Sequence, residues 1–475
     1  MLKLLSVYFS GALIASIFIT AATFVLTHTL SPAEYGKGML FISSFWILFF
    51  ICSPGMNQVL MRYFYEPQYH QKTSTLLYRC LLFSAITTSL IAFVLFIFRA
   101  IGTHLFNFSG TLTWSLLMVG AVLSIVLNFA QLIPRLHEQP RVYAISQIIN
   151  PAVYLTVIVF FLWINQKNAL AIIIGQLSAL TVTNVFLIRY YRKIWVPPPN
   201  FLTHFKSSEI KKFVFFGFPF VLSSGLDWFF FNLDKFLVLR WSNYAEVGIY
   251  TAAFALSSPL DAVKSLFTTA WIPRCNQLLV KMPFKGKKVF QDTFQKSLWA
   301  FTAFALFLLL LKPFLLLFLG KEFRSAGDIF GWLLLGPYFF GLSEIVVAGI
   351  LKSQKTYWNI LISLLSVLTN AAACYWLIPL IGAKGAAIAS AFSFGVFFLL
   401  RYIIAFRYYT FKIIRWKLIG YVLYLCIAIQ IANFNYLTLQ LGSIMLFLLL
   451  SGVLERSWLQ PYYRAIALKI KSLPQ

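Results

Sequence analysis

Residues 301–319 and 431–454 are apolar almost throughout, and at about 1.5 Å of rise per helical residue each is long enough to cross a hydrocarbon layer roughly 30 Å thick. The same pattern fills the chain. Dividing it by apolar run and polar punctuation predicts about fourteen spans, near residues 5–27, 38–60, 75–97, 113–133, 143–164, 168–189, 213–238, 246–270, 297–319, 329–350, 358–380, 385–406, 418–433 and 436–454. A backbone in lipid has to satisfy its own polar groups, so every span is predicted to be a helix and the fold class all-α, a polytopic membrane protein. With 60% hydrophobic and 11% charged residues, the chain leaves no polar stretch long enough for a working soluble domain. The last two spans are separated only by Ala432-Asn433-Phe434-Asn435, and without them twelve remain with the same topology.

A net charge of +26 raises the question of nucleic acid, and the position of the charges answers it. Placing the N-terminus inside puts most of the 39 Lys and Arg into segments on the cytoplasmic side, above all 189–212, 274–296, 407–417 and 456–471. That bias is the one that orients a membrane chain, and it suits anionic lipid headgroups rather than nucleic acid. Both termini are therefore expected in the cytoplasm. The first span follows a single Lys3 without a small-residue cleavage site, so it is read as retained. Cys52, Cys80, Cys275, Cys374 and Cys426 form no CxxC and read as small apolar residues with free thiols. The histidines (His28, His70, His104, His137, His204) have no second ligand nearby, so no metal site and no cofactor are expected. Gly36-Lys37-Gly38 and Gly286-Lys287-Lys288 lack the spacing of a P-loop, and no paired carboxylates sit in a loop. Nothing here points to an enzyme.

The chain carries an internal echo. Ala33-Glu34-Tyr35-Gly36 is matched by Ala245-Glu246-Val247-Gly248 at an offset of 212, which also carries Arg62 onto Arg274. Arg141-Val142-Tyr143 aligns with Lys355-Thr356-Tyr357 at 214, and Arg189-Tyr190-Tyr191 with Arg407-Tyr408-Tyr409 at 218. A slowly drifting offset is what small insertions into a parallel duplication produce. The expected organisation is a six-helix bundle at 1–195, a basic linker at 196–212 containing Pro197-Pro198-Pro199, a second six-helix bundle at 213–410, and two further helices with a basic tail at 411–475. Two similar bundles can rock about a midplane cavity, the geometry of alternating access.

A charge inside a bilayer costs about 2.5–3.5 kcal/mol even on lenient scales, so each one kept there marks a water-filled or protein-lined surface. Span seven carries Ser223, Asp227, Phe231 and Asp234 on one stripe, with Lys235 beside it, and span eight carries Asp261, Lys264 and Thr268. Two readings stand: local ion pairs and snorkelling side chains, or lysines facing a cavity that binds an anion while a carboxylate handles a coupling cation. Arg62, Arg79, Arg274 and Arg401 lie near the inner ends of their spans, where snorkelling competes with function, and the repeat sets Arg62 and Arg274 apart. Glu344 has no cation along its own helix, so a protonated carboxyl and a coupling-ion site are both open. The candidates are Lys264, Lys235, Arg62 and Arg274 for the substrate, and Asp227, Asp234, Asp261 and Glu344 for an ion or ion pairs. Pro54-Gly55, Pro219, Pro259 and Gly336-Pro337 are expected to interrupt or bend helices.

These residues resemble a known family. Leu30-Ser31-Pro32-Ala33-Glu34-Tyr35-Gly36, Gly55 and Arg62-Tyr63 are similar to the N-terminal pattern of polysaccharide-biosynthesis flippases, the Wzx-like branch of the multidrug/oligosaccharidyl-lipid/polysaccharide exporter superfamily. Phe216-Gly217-Phe218-Pro219, Asp234-Lys235, Val247-Gly248-Ile249-Tyr250 and Trp271-Ile272-Pro273 look like its central signature, and residues 382–389 like its late one. The resemblance implies a flippase in a bacterial inner membrane serving O-antigen or exopolysaccharide synthesis. It would move an undecaprenyl-diphosphate-type lipid-linked glycan with an ion gradient, beside a polymerase and glycosyltransferases. A cation-coupled multidrug exporter of the same fold and a non-transporting scaffold for glycosyltransferases are the competing expectations.

Overall fold

With no water to satisfy them, backbone N–H and C=O groups inside a bilayer bond within their own segment, and the computed structural model answers with helix: among the described residues there is no strand. It describes residues 2–66, 73–97, 110–165, 167–199, 207–281, 286–355, 357–434 and 437–454. The expected basic tail at 456–471, residues 200–206 of the linker and His70, His104 and His204 lie outside them, as do the side chains of Phe218, Pro219 and Ser223.

The order begins α1 (Leu2–Thr29), α2 (Pro32–Cys52), α3 (Met56–Tyr63), α4 (Thr73–Ile97), α5 (Gly110–Leu136), α6 (Pro140–Trp163) and α7 (Ala169–Tyr190). It continues with α8 (Ser207–Trp241), α9 (Tyr244–Lys281), α10 (Gly286–Leu310) and α11 (Lys312–Leu317). Last come α12 (Ala326–Leu333), α13 (Leu335–Val346), α14 (Ala348–Ser353), α15 (Tyr357–Phe406), α16 (Arg415–Asn433) and α17 (Leu437–Leu454). Among the described residues, eleven helical stretches are long and apolar enough to cross a membrane. α15 is one of them but holds two spans, because its backbone leaves the helical region at Ile381 and Gly382, the latter at φ 57°. Counting that break and adding α9 and the shorter α17 reaches the fourteen expected from hydropathy.

The helices differ from the expected spans mainly at prolines. Pro54-Gly55 separates α2 from α3, and Pro313 stands in the first turn of α11 after a break at Leu311. Pro259 and Pro273, in contrast, sit inside α9 without ending it. A proline in a transmembrane helix is tolerated when neighbouring helices re-satisfy the carbonyl it frees.

The chain forms two compact units, one of Met1–Ala255, Leu319–Ala326 and Asn359–Ala389, the other of Leu256–Phe318, Gly327–Trp358 and Ser390–Gln475. In the first, α1 packs along α6, α6 along α7, and α2 against α5 and α7, over buried Phe41, Phe45 and Phe129. The 212-residue echo has a physical form there. Ser31 Oγ accepts the Glu34 amide at 3.4 Å and Asn243 Oδ1 the Glu246 amide at 3.0 Å, so each turn caps its own helix. Each glutamate then reaches across to another helix start. Glu34 Oε2 accepts the Ala169 amide at 2.7 Å where α7 begins, and Glu246 Oε2 accepts the Ala383 amide at 2.9 Å where α15 resumes after its break. A carboxylate at a helix start meets both an orphan N–H and the positive end of the dipole. The two turns also touch: a Cβ on Gly36 would strike the Tyr244 carbonyl and Gly248, and one on Gly248 would strike the Pro32 carbonyl and Gly36. The contact is self-complementary, as in a two-fold interface.

In the second unit α10 packs against α13, α16 and α17. Lys312, 2% exposed, holds the end of α16: its Nζ donates to the Ala432 carbonyl at 2.9 Å and to Asn433 Oδ1 at 3.3 Å, with Asp328 at 3.9 Å. The lysine adds a charged donor to a terminal carbonyl that also accepts the Phe434 N–H and, at 3.5 Å, the Gln440 amide. The Tyr424 hydroxyl donates to the Ser443 carbonyl and ties α16 to α17.

Candidate functional site

Helical spacing sets the raw material of the second unit. Asp261 and Lys264 are one turn apart on α9, Phe340 and Glu344 share a face of α13, and Phe397 and Arg401 share a face of α15. The Phe340 and Phe397 rings stack at 5.6 Å between centroids with an interplanar angle of 7°. One cation approaches this stack from α9 and a second from α15 itself. Lys264 Nζ lies 4.9 Å from the Phe340 centroid, and the Arg401 guanidinium carbon lies 4.7 Å from that of Phe397 and 5.8 Å from that of Phe340. Each cation also has its carboxylate. Lys264 Nζ donates to Asp261 Oδ1 at 2.6 Å, and one Arg401 terminal nitrogen donates to Glu344 Oε1 at 2.6 Å and to Ser343 Oγ at 3.0 Å. The Trp271 indole donates to the Glu344 carbonyl at 3.2 Å, bracing α13 against α9.

Burial divides the two pairs. Arg401 and Glu344 have side chains 12% exposed each, whereas Asp261 is 48% exposed beside an 11% exposed Lys264. A carboxylate half open within a span has to face water or protein, because lipid would charge it several kcal/mol. Arg401 Nε is buried and has no hydrogen-bond partner among the described residues. The cluster is thus two neutralised pairs around a flat aromatic slab, with the Arg401 Nε–H uncommitted among the described residues. An anion can bind here by displacing a carboxylate, and the cation–π contacts keep each cation stabilised while that exchange happens.

The first unit holds the other carboxylates. Asp234 is 2% exposed; the Tyr250 hydroxyl donates to its Oδ2 at 2.6 Å, and the Cys374 thiol lies 3.8 Å from Oδ1. Cys374 also lies 3.5 Å from Asn370 Oδ1. Lys235, next in sequence, turns elsewhere: its Nζ donates to Asn232 Oδ1 at 3.1 Å and Ser43 Oγ at 3.4 Å and lies 5.7 Å from the Phe254 centroid. The Ser363 hydroxyl donates to Asp227 Oδ1 at 3.0 Å. Among the described residues no cluster of His, Cys, Asp and Glu is arranged to hold a metal ion.

The sequence-derived candidates therefore fall into separate groups. Lys264, Asp261 and Glu344 come together, joined by Arg401, which sequence spacing places only as an interfacial arginine. Asp234 and Lys235 have different hydrogen-bond partners. Arg62, exposed, forms a 3.6 Å pair with the half-buried Glu66, and Arg274, also exposed, donates to Gln277 Oε1 at 2.9 Å. Missed at the sequence level were Arg401 as the partner of Glu344, Tyr250 and Cys374 as partners of Asp234, and buried Lys312. The signal for the first was a carboxylate with no cation along its own helix and an arginine five residues from the end of another span, which pattern alone cannot pair.

Comparison with known proteins adds identity to geometry. The profile of the polysaccharide biosynthesis protein family matches residues 1–279. Among solved structures, the lipid II flippase MurJ in an inward closed conformation superposes with a TM-score of 0.70 at 12% identity, covering 95% of this chain and 99% of that one. An inward-facing multidrug resistance MATE family transporter of the MOP superfamily gives 0.58 at 13%, covering 88% and 98%. A MOP superfamily transporter from Pyrococcus furiosus, described as having a binding pocket of reverse polarity, gives 0.58 at 14%, covering 85% and 94%. No curated protein sequence matches the chain. At these identities the superpositions establish a shared polytopic fold.

Proposed function

The chain belongs to the polysaccharide biosynthesis protein family, and from that premise we propose that it is a flippase for a polyprenyl-diphosphate-linked oligosaccharide, moving it across the bacterial cytoplasmic membrane by alternating access with both termini cytoplasmic. One observation carries the reading: Lys264 and Arg401 flank the Phe340–Phe397 stack, each held by a carboxylate that an incoming anion has to replace. A phosphate charge about 4 Å from one cation gains roughly 4 kcal/mol at an effective dielectric near 20, before desolvation. That is enough, over two contacts, to exchange with Asp261 and Glu344 without trapping the headgroup. The released carboxylates are then free to take up a cation, and Asp234, buried against Tyr250 and Cys374, is the coupling candidate in the first unit. The fold of MurJ, a lipid II flippase, supports a lipid-linked substrate.

The test is deletion of the gene. Lipid-linked glycan units should accumulate on the inner leaflet, and wild-type protein but not Lys264→Ala/Arg401→Ala should clear them; normal surface glycan in the deletion strain refutes the proposal. A second reading draws on the neutrality of the same cluster. With its charges paired and an aromatic slab at the centre, the site also suits an amphipathic organic cation, the cargo of a multidrug exporter. That reading predicts drug sensitivity in the deletion strain with no change in glycan.

A further inference from the structure

A second cationic cluster lies in the second unit, where α10 and α15 start, α14 ends and the chain leaves α15. Lys287, in the first turn of α10, and Lys352, at the end of α14, both place their ammonium groups over the ring of Tyr409, at 5.8 and 4.7 Å from its centroid. Their nitrogens therefore lie no farther apart than about 10.5 Å. Lys355, in the turn before α15, stands 5.1 Å from the centroid of neighbouring Tyr408. All three lysines are exposed, and among the described residues none of them pairs with a carboxylate. The rings beneath them are fixed. Tyr409 is 3% exposed and packs edge-on against Phe290 at 5.5 Å, and the Tyr408 hydroxyl accepts the Trp358 indole N–H at 3.2 Å. Burial raises the Tyr409 hydroxyl above its usual range, so the ring stays a neutral phenol and the lysines meet a π face rather than a phenolate. Three ammonium groups from three places in the chain thus stand over two neighbouring rings, and among the described residues none of them has a counter-charge, an arrangement that an anion would relieve.

We infer that Lys287, Lys352 and Lys355, mounted on Tyr408 and Tyr409, form a binding site for the phosphate of an anionic phospholipid. Depth selects lipid over a soluble anion. The site stands at the ends of apolar helices among Tyr357, Trp358 and Phe411, and such aromatic residues settle at the headgroup level of a bilayer. The ligand is separate from the transported one, since the lysines share no residue with the Phe340–Phe397 cluster, and the inference stands whether or not that cluster moves glycans.

The experiment uses the full chain in detergent micelles. Native mass spectrometry should show phosphatidylglycerol retained in preference to phosphatidylcholine. Affinity should fall about fivefold for each lysine replaced by glutamine and about a hundredfold in Lys287→Gln/Lys352→Gln/Lys355→Gln. Thermal midpoints without lipid should be unchanged in that variant, since glutamine keeps most of each stem. Removing equal charge at Lys193→Gln/Lys211→Gln/Lys212→Gln should leave retention intact. Equal loss in this control, unchanged retention in the first triple, displacement by glycerol phosphate, or retention of a polyprenyl diphosphate in place of phosphatidylglycerol would each overturn the assignment.

Discussion

Replacing Glu344 by leucine isolates what the buried pair contributes. Glu344 and Arg401 are joined at 2.6 Å with side chains 12% exposed, so removing the carboxylate leaves a guanidinium in a place where water cannot take over. Breaking one side of such a pair costs about 3–5 kcal/mol. The Ser343 hydroxyl and the faces of Phe340 and Phe397 remain for Arg401, and a cation–π contact is worth about 0.5–2 kcal/mol, so the lower end, about 3 kcal/mol, is expected. Glu344→Gln keeps an oxygen acceptor and should cost about 2 kcal/mol. Glu344→Leu/Arg401→Met removes both charges and should return to within about 1 kcal/mol of wild type, because an apolar pair of similar volume needs no compensation. The assay is reversible unfolding in mixed micelles, read as a double-mutant cycle. If the double variant loses the sum of the two single losses, the pair is not coupled and the description of the cluster is wrong.

Other outcomes follow from other parts of the fold. Glu34→Ala and Glu246→Ala should each cost about 1 kcal/mol as lost helix caps, and should add if the two caps are independent, measured in the same unfolding assay. Lys312→Met should lower stability by about 2 kcal/mol, because the Ala432 carbonyl and Asn433 Oδ1 lose a buried charged donor; proteolysis between α16 and α17 reports it. Gly36→Val and Gly248→Val should abolish folded yield, whereas Gly225→Ala, whose new methyl meets nothing within 4 Å, should be neutral or stabilise by about 0.4–1 kcal/mol; size-exclusion profiles separate them. Asp234→Asn should leave binding of lipid-linked glycan intact and remove the dependence of transport on the ion gradient, read by collapsing the gradient with an ionophore.

What could be read from the sequence is what depends on near neighbours. A span is declared by its own twenty or so residues, so the helix count agrees roughly with hydropathy and the last pair, 415–433 and 437–454, falls where hydropathy places it. Pro54-Gly55 announces its break because proline cannot continue a hydrogen-bond ladder, whereas Pro259 and Pro273 show that the same residue is silent when neighbours compensate. The Glu34 and Glu246 turns were visible as a repeat, but their work is done on Ala169 and Ala383, more than a hundred residues away. The site was legible in part for the same reason. Asp261–Lys264 is an i, i+3 pair and could be drawn on a helical wheel, while Arg401–Glu344 and Asp234–Tyr250–Cys374 exist only once separate helices are packed.

Reconstitution measures the movement of a lipid-linked glycan directly. Purified protein in sealed vesicles carrying a polyprenyl-diphosphate oligosaccharide in one leaflet should expose it to an enzyme or lectin on the other side, faster with an ion gradient. Lys264→Ala/Arg401→Ala should show no such movement when reconstituted at an equal amount of folded protein. Equal rates for wild type, this variant and protein-free vesicles would contradict the account.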